Sequence, residues 1–242
     1  MEVLINNVKK FNPNFKLEDW CFEKLLDSSE IDNYKFYNKS RIVKEHSVYI
    51  KDVIGTLHPS YSGSLWIELV YNMKKFSEKY NYQNFLEFSR SEKLTKNDFG
   101  YSKYGSKYFI AGGNHRNVQA KFSNLELITC DVVEHIFDQE MYNLFQFLVK
   151  EKFNPLIEES GNGKYYRFSL WIIQLNSQEY YFSSFSAIVK FVDHYNKYIP
   201  SLTNNLIAKF SKRKKEVLYN ENKDYIHLKN AILLHKLNKN HF

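Results

Sequence analysis

The sequence predicts an α+β protein, and three observations carry this prediction. Hydrophobic residues make up 43% of the 242 positions and aromatic residues 17%, which is enough apolar material for a folded core. Segments with apolar residues three and four positions apart, typical of amphipathic helices, are interspersed with short runs of β-branched and aromatic residues, typical of strands. No internal repeat organises these segments.

Five elements are predicted in the first half of the chain. Leu17–Leu26 has the pattern of a short helix, and Val48–Ile54 alternates as a strand does. His58–Gly63 is a loop, because proline and glycine interrupt regular structure. Ser64–Tyr80 repeats apolar residues at helical spacing and begins with a good N-cap residue. Asn84–Ser89 is predicted to form a short strand.

The middle of the chain carries the clearest pattern. Lys107–Ala111 is rich in β-forming residues and predicts a strand, which Gly112–Gly113 ends with a turn. Asn114–Ser123 then has helical spacing, and Leu125–Val133 predicts a return strand. Asp138–Lys152 is predicted to form another helix, which the following Asn-Pro pair ends.

A cluster of small and polar residues, Ser160–Gly163, predicts the domain boundary. We therefore expect one domain over residues 1–160 and a second over residues 161–242. The second begins with a predicted hairpin formed by Tyr165–Leu175 and Glu179–Phe182. An amphipathic helix over Ser183–Tyr198 and a further helix follow.

The composition also predicts the compartment. No apolar run reaches the roughly 18 residues that a membrane-spanning helix needs, and Met1–Asn7 lacks the pattern of a signal peptide. Cys21 and Cys130 are 109 positions apart and argue against a disulfide framework or a cysteine-based zinc site. A soluble, cytoplasmic protein without a membrane partner is expected.

The formal net charge of +7 is unevenly distributed, because basic residues crowd one stretch near the C-terminus. Such a cluster attracts nucleic acid through counterion release, although a solvated helix face has the same composition. The residues concerned are Lys209, Lys212, Arg213, Lys214 and Lys215.

The turn between the central strand and helix predicts an anion site. Glycines such as Gly112 and Gly113 let the main chain approach a ligand without a Cβ in the way. Asn114 is predicted to cap the helix, whose first-turn N–H groups and dipole favour an anion. His115 and Arg116 add donors, and an arginine guanidinium matches phosphate oxygens. A structural turn with a solvated arginine is the alternative.

These residues resemble the ParB/sulfiredoxin superfamily. The similarity covers Tyr108–Phe122 and Leu125–Val133, a strand, a glycine-rich turn ending in arginine, a helix and a return strand. In sulfiredoxins the turn is Gly-Gly-Cys-His-Arg and holds the phosphates of ATP, and in partition proteins Gly-Glu-Arg-Arg contacts the triphosphate of CTP. The residues that match the sulfiredoxin turn are Gly112, Gly113, His115 and Arg116.

The resemblance implies binding of a nucleoside triphosphate, ATP or CTP, with Mg²⁺. Asn114 occupies the position of the reactive cysteine, and an amide cannot act as a thiolate nucleophile, so this chain is not expected to be a sulfiredoxin. On the preceding helix, Glu68 and Asn72 stand where the family has Ser and Thr, and Leu65 replaces its Lys. Glu68 is then a candidate base or Mg²⁺ ligand, or an exposed helix glutamate.

Two further groups of residues are weaker candidates. His58 lies in the loop before that helix and could approach the turn, although a plain turn residue is the commoner case. Asp131 and Glu134 lie near the end of the return strand, where they would either hold a metal for DNA cleavage or be solvated.

The C-terminal stretch resembles the small helix-turn-helix modules of homing endonucleases, which implies DNA contacts from its basic helix.

The function that the sequence predicts is nucleoside-triphosphate binding, followed by hydrolysis or phosphoryl transfer. Glu68 and His115 are the predicted catalytic residues. The predicted phosphate ligands are Gly112, Gly113, Asn114, His115, Arg116 and Asn72. Two alternatives stay open, a DNA-binding or DNA-cleaving protein that grips a backbone phosphate at the same turn, and a non-enzymatic phage or mobile-element interaction protein.

Overall fold

The computed structural model describes residues 1–72, 81–90, 98–151, 153–160, 168–175 and 178–182, together with 185–186 and 188–189. It confirms the α+β class. The chain divides into two compact units, Met1–Asp138 and Gln139–Phe242. This division precedes the predicted boundary at residue 160 by one helix and one strand.

The first unit contains a mixed five-stranded sheet in the order β1-β5-β3-β4-β2. Its strands are β1 (Lys39–Tyr49), β2 (Val53–Thr56), β3 (Gly100–Tyr104), β4 (Lys107–Gly112) and β5 (Leu127–Ile136). The β1–β5 and β3–β4 pairs are antiparallel, whereas β2–β4 and β3–β5 are parallel. The parallel β2–β4 pair brings the C-terminal ends of both strands to one edge of the sheet.

Among the described residues of this unit, four α-helices accompany the sheet: α1 (Glu2–Phe11), α2 (Trp66–Asn72), α3 (Tyr82–Ser89) and α4 (Asn114–Phe122). Their buried side chains and one face of the sheet form the main core. At its centre, aromatic rings from distant parts of the chain meet edge to face or tilted, with centroids 5.0 to 6.2 Å apart. These rings belong to Phe15, Trp20, Trp66 and Phe122.

Several predicted elements are confirmed. The strand, glycine turn, helix and return strand appear as β4, Gly112–Gly113, α4 and β5. In the second unit, α5 (Gln139–Lys150) confirms the predicted helix. The strands β6 (Leu156–Ser160), β7 (Phe168–Leu175) and β8 (Gln178–Phe182) form an antiparallel sheet in that order, and β7 with β8 is the predicted hairpin.

Two local predictions are wrong. Asn84–Ser89 belongs to helix α3, because Asn81 caps it by accepting from the Asn84 N–H (3.0 Å) and Phe85 and Phe88, three positions apart, lie on one face against Phe99. Leu17–Leu26 holds a single 3₁₀ turn in place of a longer helix, and its Leu26 pairs with Gly55.

Two other predicted elements differ in their bounds. Val48–Ile54 spans the end of β1, a 3₁₀ turn over Ile50–Asp52 and the start of β2. Helix α2 begins at Trp66, two residues after the predicted cap Ser64, and is described only as far as Asn72.

Most of the predicted helix Ser183–Tyr198 and all of the basic cluster lie outside the described residues. No helix in the described part of the chain combines the length and apolar content that crossing a bilayer requires.

Candidate functional site

The candidate site lies where β2 and β4 end side by side. Thr56, the last residue of β2, pairs in parallel register with Ile110, and the N–H of Leu57 donates to the Ile110 carbonyl (2.9 Å). The loop after β2 and the glycine turn after β4 therefore start from neighbouring points. We call the segment Gly112–Arg116 the anion corner. It is half-buried throughout.

The two glycines of the anion corner are required for different reasons. Gly113 has φ +71°, and a Cβ on it would lie 2.0 Å from the carbonyl oxygen of Asp98. Because that neighbour is backbone, the fold itself requires this glycine. A Cβ on Gly112 would meet no described atom within 4 Å, its chain neighbours aside. Gly112 thus leaves its backbone open on the side where a side chain would stand.

Asn114 is not the helix cap that the sequence predicts. Because Gly113 adopts the left-handed conformation, it takes the N-cap position and makes Asn114 the first helical residue. The Asn114 side chain turns to strand β2, where its Oδ1 accepts a hydrogen bond from the Thr56 hydroxyl (2.8 Å). Thr56 is fully buried, and its Oγ1 also accepts from the His58 N–H (3.0 Å). This short chain of bonds ties the loop after β2 to the anion corner.

Asn117 braces the turn from inside helix α4. Its Nδ2 donates to the carbonyl oxygens of Gly112 (3.2 Å) and Gly113 (3.1 Å), and the residue is 2% exposed. Sequence reasoning missed this role. The available signal was an asparagine one helical turn after the glycines, where its side chain reaches back to the start of the helix.

Arg116 is held in place by two contacts. Its Nη1 lies 2.9 Å from Oδ1 of Asp98, and the guanidinium carbon lies 5.2 Å from the centre of the Phe88 ring. The Arg116 side chain is 33% exposed and the Asp98 side chain 15%. The ion pair with Asp98 fixes the direction of the Arg116 guanidinium at the rim of the anion corner. A guanidinium has five N–H donors.

His115 contacts the loop after β2. Its Nε2 lies 3.4 Å from the Tyr61 hydroxyl, and the two rings meet edge to face. His58 is exposed, and its ring centre lies 4.7 Å from that of Tyr61, while its Nδ1 accepts from the Ser60 N–H (3.2 Å). The structure thus places His58 beside the anion corner, by way of Tyr61.

Glu68 has a structural role at the start of its own helix. Its Oε2 accepts a hydrogen bond from the Leu65 N–H (2.9 Å), which is half of a capping box at the start of α2. One carboxylate oxygen of the predicted base is therefore engaged locally. Asn72 is the last residue of α2 that the structure describes.

The carboxylates considered for a metal site have other partners. Asp131 accepts from the Glu45 N–H (3.3 Å). Glu134 forms ion pairs with Lys103 (2.9 Å) and Arg41 (2.6 Å), whose hydrogen bonds hold the pKa of Glu134 below its ordinary value. Within the described ranges, no three histidine, cysteine, aspartate or glutamate side chains come together as metal ligands.

Neither cysteine is suited to act as a nucleophile. Burial raises the pKa of the Cys21 thiol, and it raises that of Cys130 to about 12. The thiolate is the reactive form of cysteine. Both thiols therefore stay protonated near neutral pH.

A second cation, Lys121, is buried at the other end of helix α4. Its Nζ donates to the Val53 carbonyl (2.9 Å) and lies 4.8 Å from the ring centre of Trp20 and 4.3 Å from that of Trp66. Burial lowers its pKa from 10.5 to about 8. Sequence reasoning missed this cluster, because its members come from four separate segments.

No family model matches this sequence, no curated protein is similar to it, and no solved structure matches its fold. The resemblance to the ParB/sulfiredoxin superfamily accordingly rests on the residues of the anion corner and its flanking strands.

Proposed function

We propose that the anion corner binds the phosphates of a nucleoside triphosphate. The observation that carries this proposal is the open backbone at Gly112. Nothing in the described fold occupies the side-chain position of this glycine, whereas its neighbour Gly113 is explained by the packing of Asp98. A glycine without a packing requirement, at the end of a strand and two residues before a nine-residue helix, is where main-chain amides can approach an anion.

The surrounding charges support the same ligand. Arg116 places a guanidinium at the rim of the corner, and His115 lies in the first turn of the helix beside it. The helix dipole adds partial positive charge at this end. Main-chain amides, an arginine and a helix terminus together favour a phosphate group over a neutral ligand.

The proposal covers binding, and no residue is assigned as a base for hydrolysis. Glu68 gives one oxygen to its own helix, and Asp98 is engaged by Arg116. Mg²⁺ would accompany the triphosphate as a complex with its oxygens, because the described side chains form no ligand cluster for it. Phosphate release, which reports hydrolysis, is therefore measured separately from triphosphate binding.

Substitution of the two glycines tests the proposal. Gly112→Ala adds a methyl group in open space and should leave the melting temperature within about 2 °C, since it introduces no left-handed strain. Its affinity for ATP, CTP or tripolyphosphate, measured by calorimetry with and without Mg²⁺, should fall about tenfold or more, because a charge-assisted hydrogen bond is worth about 1.5 to 3 kcal/mol.

Gly113→Ala is the matched control. It should lower stability, because the new Cβ meets the Asp98 carbonyl and φ is positive. A wild-type protein that binds none of the three ligands, or a Gly112→Ala variant that binds them as tightly as the wild type, contradicts the proposed function.

A phosphate of the DNA backbone is the second candidate ligand for the same corner, and the formal charge of +7 favours it. It predicts salt-dependent binding of a short duplex that Gly112→Ala weakens and that free triphosphate displaces only at high concentration. Neutralising Lys212–Lys215 would distinguish this case, because it should weaken DNA binding and leave calorimetric triphosphate binding unchanged.

A further inference from the structure

The Asn114 amide is oriented by a buried hydroxyl. The His58 N–H can only donate, so the Thr56 Oγ1 accepts at that contact (3.0 Å) and its single hydrogen goes elsewhere. Two acceptors lie within reach, the Asn114 Oδ1 at 2.8 Å and the Ile110 carbonyl at 3.3 Å. The shorter contact is the better hydrogen bond.

This bond has a chemical consequence for the anion corner. An asparagine side chain carries one acceptor oxygen and an NH₂ group with two donors. With its oxygen accepting from Thr56, the Asn114 side chain has its NH₂ group as the part that can donate to an anion at the corner, and this group cannot accept a hydrogen bond. Thr56 is fully buried, so this orientation is set from inside the fold.

We propose that Thr56 is a positioning residue that presents the Asn114 amide as a donor to the bound phosphate, and that the corner thereby selects fully ionised oxyanions. The inference rests on the proposed function and deepens it by naming the ionic form of the ligand. It also gives the residue at the position of the sulfiredoxin cysteine a role in binding.

Asn114→Asp is the sharpest test, because it keeps the size of the side chain and an oxygen for Thr56 while replacing the NH₂ donor with negative charge. A carboxylate in the first turn of a helix is favourable for the helix, so the melting temperature should stay the same or rise. Affinity for inorganic tripolyphosphate should fall about 100-fold, since attraction becomes repulsion.

The pH dependence separates a binding role from a structural one. A terminal phosphate loses its second proton near pH 6, so the ratio of wild-type to Asn114→Asp affinity should be several-fold larger at pH 8 than at pH 5.5. A residue that only stabilises the turn would give a constant ratio. Calorimetric titration with tripolyphosphate at both pH values measures this.

Thr56→Val and Thr56→Ser test the positioning role. The valine variant lacks the hydroxyl and should lose about five- to tenfold in tripolyphosphate affinity, the value of one neutral hydrogen bond, and the serine variant should recover it to within about twofold. If the valine variant unfolds, Asn114→Asp still decides.

The outcomes are distinguishable. No tripolyphosphate binding by the wild type defeats the proposed function and this inference with it. Wild-type binding that Asn114→Asp leaves intact defeats the inference alone. A folded Thr56→Val variant that binds tripolyphosphate as tightly as the wild type would show that Thr56 does not position the Asn114 amide.

Discussion

Helix α4 carries two cations that are held in opposite ways. Arg116, in its first turn, is one-third exposed and faces the carboxylate of Asp98. Lys121, in its last turn, is 8% exposed and has a neutral carbonyl and two tryptophan rings as partners. The first arrangement lets a cation meet an anionic ligand, because exposed ion pairs are weak and exchangeable. The second keeps the ammonium group buried against a carbonyl and two rings, away from any ligand in solution.

The two cations have similar sequence contexts but different surroundings in the fold. Both side chains contact aromatic rings, and both follow the glycine turn on the same helix. What distinguishes them is the partner of the charge and its access to solvent. On that ground we assign Arg116 to the candidate site and Lys121 to the stability of the core.

The largest expected effect is on stability. Lys121→Ala should lower the free energy of unfolding by about 3 kcal/mol at pH 10, where the folded-state amine is neutral, because it removes a buried stem between two tryptophans and the donor to the Val53 carbonyl. Arg116→Ala should cost less than about 1 kcal/mol, as a partly exposed ion pair does. Urea unfolding measures both. Equal costs would show that the two cations do not differ as described.

The pH dependence of stability is expected to be nearly as large. The pKa of Lys121 is lowered to about 8 in the folded state, so between pH 8 and the ordinary value of 10.5 the unfolded chain binds more protons than the folded one. Stability must therefore rise with pH across this window. Relative to Lys121→Met, which keeps the apolar stem, the wild type should gain about 2 kcal/mol between pH 7.5 and 10.

Urea unfolding of both proteins at each pH provides the measurement. The difference in unfolding free energy between the two proteins cancels the contributions of the tyrosines and the other lysines, which titrate in the same pH range. Parallel curves for the two proteins would mean that Lys121 titrates as an exposed lysine does.

The smallest expected effect concerns Arg116 and its carboxylate. Asp98→Asn should raise the affinity for tripolyphosphate several-fold, because it removes the anion that competes with the ligand for the guanidinium. Arg116→Ala should lower it about tenfold. Calorimetry at two salt concentrations measures both changes. Unchanged affinity in both variants would separate the Arg116–Asp98 pair from the binding site.

The sequence predicts those parts of the site that depend on neighbouring residues. The strand before the turn, the turn itself and helix α4 are encoded within one continuous segment, Lys107–Phe122, and all three are confirmed. The sequence allows His58 to approach the turn but favours a plain turn residue, because the loop before helix α2 carries no signal of its neighbours in the fold.

The parts that sequence reasoning missed depend on long-range contacts. Asp98 and Thr56 reach the anion corner only because the sheet brings β2, β3 and β4 together. The predicted cap at Asn114 is wrong because a left-handed Gly113 begins the helix one residue earlier than a polar cap would. The predicted strand at Asn84–Ser89 is wrong because in so short a segment the apolar residues fit both periods.

The parallel pairing of β2 with β4 has a consequence for how the protein folds. Thr56 and Ile110, which pair between strands β2 and β4, are 54 positions apart, so this strand pairing closes a large loop and forms after local contacts do. A nascent chain exposes the complete Gly-Gly-Asn-His-Arg segment before strand β2 can dock against it. The ability to hold a phosphate is therefore expected to arise in a single late step, when the sheet closes, and a peptide that contains the motif alone should not show it.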